Sequence, residues 1–224
     1  MRLCRIRLSS RPSAGSLFGL LTDRLGTYES HRLVWSLFGD DPDRRRDFLY
    51  RLDMKGGRPE IMAVSDRDPV DHHHLFEIES KDYAPDLREG DRLSVMARLN
   101  PIWRKEVEGK RRKVDVVMDE VHRRKAEGES RPDRLTAARD ALPAWFARQG
   151  QTGGFALEPE HLVVDAYDRQ RFRSAKGDDV QVAGVDLRGV LRVTDPEAMR
   201  MSLFSGLGSS KAFGYGLLLV RRAG

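Results

Sequence analysis

The sequence predicts an α+β chain of two similar units, each a helix layer on an antiparallel sheet. Three observations carry this. Short runs that alternate apolar and polar residues are separated by Gly, Pro and Asp. A strand, a helix and further strands follow one another within the first hundred residues, and the second half repeats that order in outline. The pattern is that of a ferredoxin or RRM sandwich. The expected division gives residues 1–90 to an N-terminal unit and 91–224 to a C-terminal one. No residue-level repeat accompanies it.

Leu3-Cys4-Arg5-Ile6-Arg7-Leu8 reads as a strand with Cys4, Ile6 and Leu8 on one face and the arginines on the other. Ser9, Ser10 and Pro12 end it, and a helical stretch interrupted by Gly26 follows. Thr27 suits the N-cap of a new helix, whose apolar face holds Tyr28, Val34, Trp35, Leu37 and Phe38 and which stops near Gly39. Strands are expected at Asp47–Met54, where Phe48, Tyr50 and Leu52 alternate, at Ile61–Val64, Leu75–Ile78 and Arg92–Leu99. The very basic segment Arg104–Lys125 reads either as a solvated, flexible connection or as a functional surface. Leu135, Ala138, Leu142, Trp145 and Phe146 recur at helical spacing through Pro143 as far as Gly150, and Gly153-Gly154 close that helix. His161–Val164 opens a strand, and Val180–Val193 reads as a strand or hairpin with Gly184 and Gly189 as bulges. Asp195-Pro196-Glu197 combines an N-cap Asp, Pro at the first helical position and an acid in the first turn. A glycine-rich loop and a last strand, Leu217–Val220, complete the chain.

Composition excludes several classes. The chain has 224 residues, with 40 Lys and Arg against 35 Asp and Glu, a net charge of +5 and a pI near 9.5. Its 39% hydrophobic content excludes wholesale disorder, and one cysteine, Cys4, excludes a disulfide scaffold and suits a reducing cytoplasm. Arg2, Arg5, Arg7 and Arg11 interrupt any signal-peptide core, and no apolar run is long enough for a membrane helix. The positive excess favours polyanionic partners.

Three motifs could carry chemistry. If Thr27 caps its helix, Tyr28 and His31 share one face of the first turn, where unpaired backbone N–H groups and the helix dipole favour a phosphate. An imidazole and a phenol can exchange protons with a phosphodiester, although Tyr28, His31, Trp35 and Phe38 are also spaced like a core face. The loop Gly206-Leu207-Gly208-Ser209-Ser210-Lys211-Ala212-Phe213-Gly214-Tyr215-Gly216 lets backbone and ammonium approach an anion closely. It fits neither the Walker nor the Rossmann pattern, and a flexible loop before a strand has the same composition. In a strand, Arg169, Arg171 and Arg173 would share one face, suited to phosphates or base edges, or merely to protecting a sheet edge. No metal site is expected. His72-His73-His74 would alternate faces in a strand, and no other pair has zinc-ligand spacing; His122 and His161 stand alone.

Taken in order, Tyr28-x-x-His31-x-x-x-Trp35-x-x-Phe38, Arg98-Leu99-Asn100-Pro101 and Gly206-x-Gly208-x-x-Lys211-x-x-Gly214-x-Gly216-Leu217-Leu218 resemble the CasE-type CRISPR repeat endoribonucleases of the type I-E Cascade complex. The likeness spans nearly the whole chain. It implies two tandem ferredoxin-like (RRM-like) domains and metal-independent, cofactor-free cleavage of precursor CRISPR RNA at the 3′ base of the repeat hairpin. The product would stay bound beside other Cascade subunits. It also implies that Tyr28 and His31 move protons and that Lys211 acts with them. The loop, with Gly206, Gly208, Ser209, Ser210 and Gly214, would hold the RNA backbone, and Arg169–Arg173 would engage the RNA stem. The chain departs from the family at Ser13–Gly26, which is longer than usual, and Asp47–Met54 lacks the RRM aromatic signature for base stacking.

Metal-free scission would use the RNA's own 2′-OH as nucleophile and leave a 2′,3′-cyclic phosphate and a 5′-hydroxyl. His31 could protonate the leaving oxygen while Tyr28 positions or deprotonates the 2′-OH. A phenol near pKa 10 is a poor base, so the reverse assignment stays open. Composition fits a non-catalytic hairpin-binding subunit equally well. A metal-dependent nuclease fits less well, for want of a carboxylate cluster at ligand spacing.

Overall fold

The computed structural model describes residues 1–10, 27–39, 45–107, 109–173, 177 and 179–223. In the first half, β1 (Arg2–Leu8) leads to α1 (Thr27–Ser36), β2 (Phe48–Lys55), β3 (Arg58–Ser65) and β4 (Phe76–Asp82). The helical stretch expected between Pro12 and Gly26 lies outside the described residues. In the second half, β5 (Arg92–Leu99) is followed by a hairpin of β6 (Ile102–Val107) and β7 (Lys110–Asp115), then α2 (Val116–Ala126) and α3 (Arg134–Gly153). After these come β8 (Phe155–Arg173), β9 (Asp179–Val193), α4 (Pro196–Ser205), one 3₁₀ turn (Lys211–Phe213) and β10 (Leu218–Arg222).

The two sheets share one plan. The first runs β2-β3-β1-β4 and the second β8-β9-β5-β10, with neighbours antiparallel throughout. Counted within each half, both read second, third, first, fourth. The first two strands of each half are therefore parallel and joined by a helical crossover, as in a ferredoxin-like fold. The halves differ at the second crossover. α4 fills it in the second half, whereas residues 66–75 fill it in the first without a helix. There the Asp71 carboxylate accepts from the backbone of His73 at 3.1 Å and Phe76 at 2.6 Å. His72, His73 and His74 thus sit in an exposed turn rather than a strand.

Local signals place most elements well. In β1, Cys4, Ile6 and Leu8 are buried, while Arg5 and Arg7 pair with Glu60 and Glu79 on the other face. Asp195 accepts from Glu197 N at 2.9 Å and Ala198 N at 3.1 Å, with Pro196 opening α4. Asp133 caps α3, which runs through Pro143 to a left-handed Gly154. Asp115 caps α2 and also accepts the Tyr167 hydroxyl at 2.7 Å, joining helix to sheet.

One open reading is decided and two expectations are corrected. Arg104–Lys125 is no flexible connection but a hairpin and a helix, with Lys105 paired to Asp119 and Arg124 to Glu120 at 3.0 and 2.9 Å. Gly184 and Gly189 are not bulges. The register shifts lie in β8, between Glu158 and Val163 and between Val164 and Ala166, beside Pro159, which has no N–H for the ladder. Finally, β2 does not alternate buried and exposed: Phe48, Leu49, Tyr50 and Arg51 are buried in succession. Phe48 and Tyr50 join the α1-side core with Val34 and Phe38, while Leu49 and Val64 pack on Leu217 of the second half. The first sheet is covered on both faces. That junction positions the site.

Candidate functional site

Helix α1 is seated by Val34, which is buried, with Leu37 and Phe38 just beyond its end. This directs His31, one turn from its start, toward the loop that follows α4. The His31 Nδ1 lies 2.5 Å from the Ala212 carbonyl, which accepts its proton. The ring also contacts Trp35 and Phe213, at centroid distances of 5.4 and 5.1 Å. With Nδ1–H on a carbonyl, proton exchange at this ring would fall to Nε2. Burial pulls the His31 pKa below the ordinary imidazole value, Arg46 pulls the same way, and the Ala212 hydrogen bond opposes them. Tyr28 lies in the first turn of α1, but its side chain is outside the described residues.

The loop is tied down at both ends rather than flexible. Leu207 N donates to Gly216 O at 2.9 Å, and Gly216 N to Arg98 O at 2.8 Å. Asn100 Nδ2 donates to Ser210 Oγ at 2.6 Å, and Phe213 N to Ser210 O at 2.9 Å. Gly206, Gly208 and Gly214 all have positive φ. At Gly214 a Cβ would also lie 2.9 Å from the Tyr50 ring, so the backbone approaches that ring only as glycine. The Tyr50 hydroxyl donates to the same Ala212 carbonyl, at 3.3 Å. Ser209 Oγ is buried without a hydrogen-bond partner among the described residues.

Lys211, half-buried on this loop, has its pKa lowered by burial and then by Arg46. Arg46, just ahead of β2, is itself desolvated, and its Nη1 is buried without a partner. Among the described residues no carboxylate pairs with Lys211 or Arg46. Uncompensated, partly desolvated cations beside an imidazole make a site for an anion. Arg46 is the group that sequence reading missed. Its only signal was the run Arg44-Arg45-Arg46 ahead of a strand, which looks like any solvated charge cluster.

The arginines of β8 lie elsewhere. Arg169, Arg171 and Arg173 oppose Ala183, Gln181 and Asp179 and share one face, as their spacing predicts. The alternate residues Asp168, Gln170 and Phe172 face the loop, with the Phe172 and Phe213 rings 5.0 Å apart. The structure brings His31 and Lys211 together and sets the three arginines on the other side of the strand.

Beside His31, the two halves enclose a cleft of about 380 Å³ walled by the rings of Tyr50, Phe213 and Tyr215 and by polar groups of β8 and β9. At its base Arg98 holds Asp186 through two bonds of 3.0 Å, Asp53 at 3.1 Å and the Leu52 carbonyl at 2.8 Å. Arg51 completes the cluster, at 2.7 Å from Asp53 and 3.3 Å from Asp186. The Tyr215 ring packs against Gly184, where a Cβ would come within 2.7 Å of it. The described residues also bring Glu158, Glu160 and His161 close enough to share an ion, on β8, but Glu158 is already paired with Arg92 and Arg192. No described helix is long and apolar enough to cross a membrane.

Over residues 1–222 the sequence matches the family described as CRISPR associated protein. The chain belongs to this family. It is 28% identical over 196 residues to the CRISPR system Cascade subunit CasE of Escherichia coli (strain K12), covering 85% of this chain and 89% of that one. Over 214 residues it is 28% identical to the CRISPR-associated endoribonuclease Cse3 of Thermus thermophilus, covering 88% and 91%. A solved structure of the CRISPR endoribonuclease Cse3 bound to a 19-nucleotide RNA superposes with a TM-score of 0.70 at 25% identity, over 99% of this chain and all of that one. The CasE-type resemblance and the two ferredoxin-like sheets are both borne out. Within this CRISPR associated chain, the Arg98-Leu99-Asn100-Pro101 motif ties the halves together through Arg98 and holds the loop through Asn100.

Proposed function

We propose that this chain is an endoribonuclease that cleaves precursor CRISPR RNA at the 3′ base of the repeat hairpin and stays bound to the mature RNA as a Cascade subunit in the cytoplasm. The observation that carries the reading is the meeting of α1 with the glycine-rich loop: His31 Nδ1 on Ala212 O, beside Lys211 and Arg46. Residues 1–90 supply the helix of Tyr28 and His31, and 91–224 the loop with Gly206, Gly208, Ser209, Ser210 and Gly214. Arg169, Arg171 and Arg173 hold the RNA stem on their own face of β8.

The chemistry follows from where protons sit at rest. An imidazole whose pKa is lowered by burial rests neutral, and a phenol rests protonated. That favours His31 as base and Tyr28 as acid, the reverse of the first assignment considered above. His31 Nε2 takes the 2′-OH proton, and the 2′-oxygen attacks phosphorus. The bond to the 5′-oxygen breaks as Tyr28 donates its proton to that oxygen. A 2′,3′-cyclic phosphate and a 5′-hydroxyl result. Lys211, Arg46 and loop N–H groups stabilise the charge that builds on the phosphoryl oxygens. RNA brings its own nucleophile, so no metal-bound hydroxide is required.

The test is incubation with the cognate repeat RNA in EDTA, beside the same RNA carrying a single 2′-deoxy substitution at the cut. The ribose form is cut and the deoxy form is not. Tight binding of the ribose form with no scission would instead make the chain a hairpin-binding subunit.

A further inference from the structure

The cleft beside His31 has a chemistry opposite to that of the anion site. Phe213 gives it a partly exposed aromatic wall, with Tyr50 and Tyr215 buried behind, and its volume of about 380 Å³ lies in the range that holds a small planar ligand. Its charged groups are mostly acids. Asp53 and Asp186 are balanced by Arg51 and Arg98. Asp168 is not: among the described residues no cation pairs with it. Asp168 lies exposed at the cleft, where Oδ1 accepts from the Arg169 backbone N at 2.8 Å and Oδ2 from Gln170 Nε2 at 2.9 Å. A carboxylate has about four acceptor positions, so each oxygen keeps capacity for a ligand donor. Such a cleft repels phosphate and accepts a flat group that carries N–H donors. Ser30, adjacent in sequence to His31, forms part of its wall, and Phe213 touches both His31 and Phe172. Whatever fills the cleft lies next to the scissile phosphate.

We infer that the cleft is a nucleobase subsite for one of the two nucleotides flanking the cut, in which Asp168 selects a base carrying an exocyclic amino group over uracil. The inference rests on the cleavage site proposed above. Adenine, cytosine and guanine each present an amino donor to the carboxylate. Uracil offers one N–H between two carbonyls, and both carbonyl oxygens face the carboxylate with like partial charge. A well-placed pair of this kind discriminates by about five- to a hundred-fold. Phe213, the one of the three lining rings that is not buried, supplies the stacking surface, which serves any base.

Single-turnover cleavage in EDTA of repeat RNAs varied at each flanking nucleotide, by the unaltered protein and by Asp168→Asn, tests this. The unaltered protein should cut amino-bearing bases at least about fivefold faster than uridine at one of the two positions. Asp168→Asn should bring that ratio to within threefold. An unchanged ratio in the variant, or no preference at either position, overturns the subsite. The same RNAs with a 2′-deoxy cut site give a second readout, the ratio of dissociation constants, which must collapse in parallel. That arm is read even if no RNA is cut, so loss of the cleavage proposal and loss of the subsite are told apart. Gln170→Ala, which leaves the carboxylate but removes one of its two holders, should reduce the preference only in part; an effect as large as that of Asp168→Asn would mean that wall geometry, not the carboxylate, does the selecting.

Discussion

His31 owes its properties to two contacts that lie far apart in sequence: the Ala212 carbonyl that holds Nδ1 and the apolar rings that desolvate the ring. A base must be neutral to act, and burial lowers its pKa, so activity is retained as pH falls through the ordinary imidazole range. The acidic limb of the single-turnover rate against pH is expected below pH ~6.5; a limb above that value would mean His31 starts as the charged acid. Arg46 contributes at the same scale through charge alone. Arg46→Ala should slow cutting about ten- to a hundred-fold, with Arg46→Lys restoring part of the rate, since one lost transition-state donor typically costs this much or more. None of this was readable from Arg46 itself, because its burial is set by the fold and not by the charge run in which it lies. The phenol and imidazole spacing was legible, since a helix puts residues three apart on one face.

At the scale of elements, the loop and β8 divide the work. The glycines of the loop have positive φ because the chain turns back against Tyr50 and Leu207 within a few residues. Gly214→Ala combines a left-handed backbone with a contact of 2.9 Å to the Tyr50 ring, so a loss of about 1–3 kcal/mol is expected in a denaturant titration. β8 carries arginines on one side and the cleft wall on the other. Removing Arg171 or Arg173 should therefore lower hairpin affinity and reduce the slope of log K against log salt by about one each, with the rate at saturating protein unchanged. Strand periodicity put Arg169, Arg171 and Arg173 on one face correctly, but it gave only His161–Val164 for the opening of a strand that starts at Phe155. It misplaced the bulges because it weighed the glycines over Pro159. It left Arg104–Lys125 open because long basic side chains mask the alternation of β6 and β7.

For the whole molecule, two similar halves meet where β2 is covered on both faces, and a four-residue ion cluster bridges them. Arg98 is its centre. Arg98→Ala takes one of two cations from Asp53 and Asp186, each about a quarter exposed, and leaves them to Arg51 alone. A loss of about 2–3 kcal/mol is expected, below the full cost of orphaning a fully buried charge. The strand order of the halves could be guessed from their matching outlines. The helix-free second connection of the first half agrees with the sequence reading, which placed no helix between Ile61–Val64 and Leu75–Ile78; the Asp71 carboxylate that caps it was not legible. The junction was illegible for the same reason that it matters: its partners, Leu49 with Leu217 and Asp53 with Arg98, lie on different halves.

In the proposed mechanism a proton-transferring imidazole acts across this junction against a cationic loop, and every other step depends on that pairing. Cleavage rate and hairpin affinity measured side by side for His31→Ala test it most directly. The expected result is a rate lower by at least about a hundredfold, with hairpin affinity changed by less than threefold. Parallel loss of both, or cutting that continues at the original rate, would contradict it.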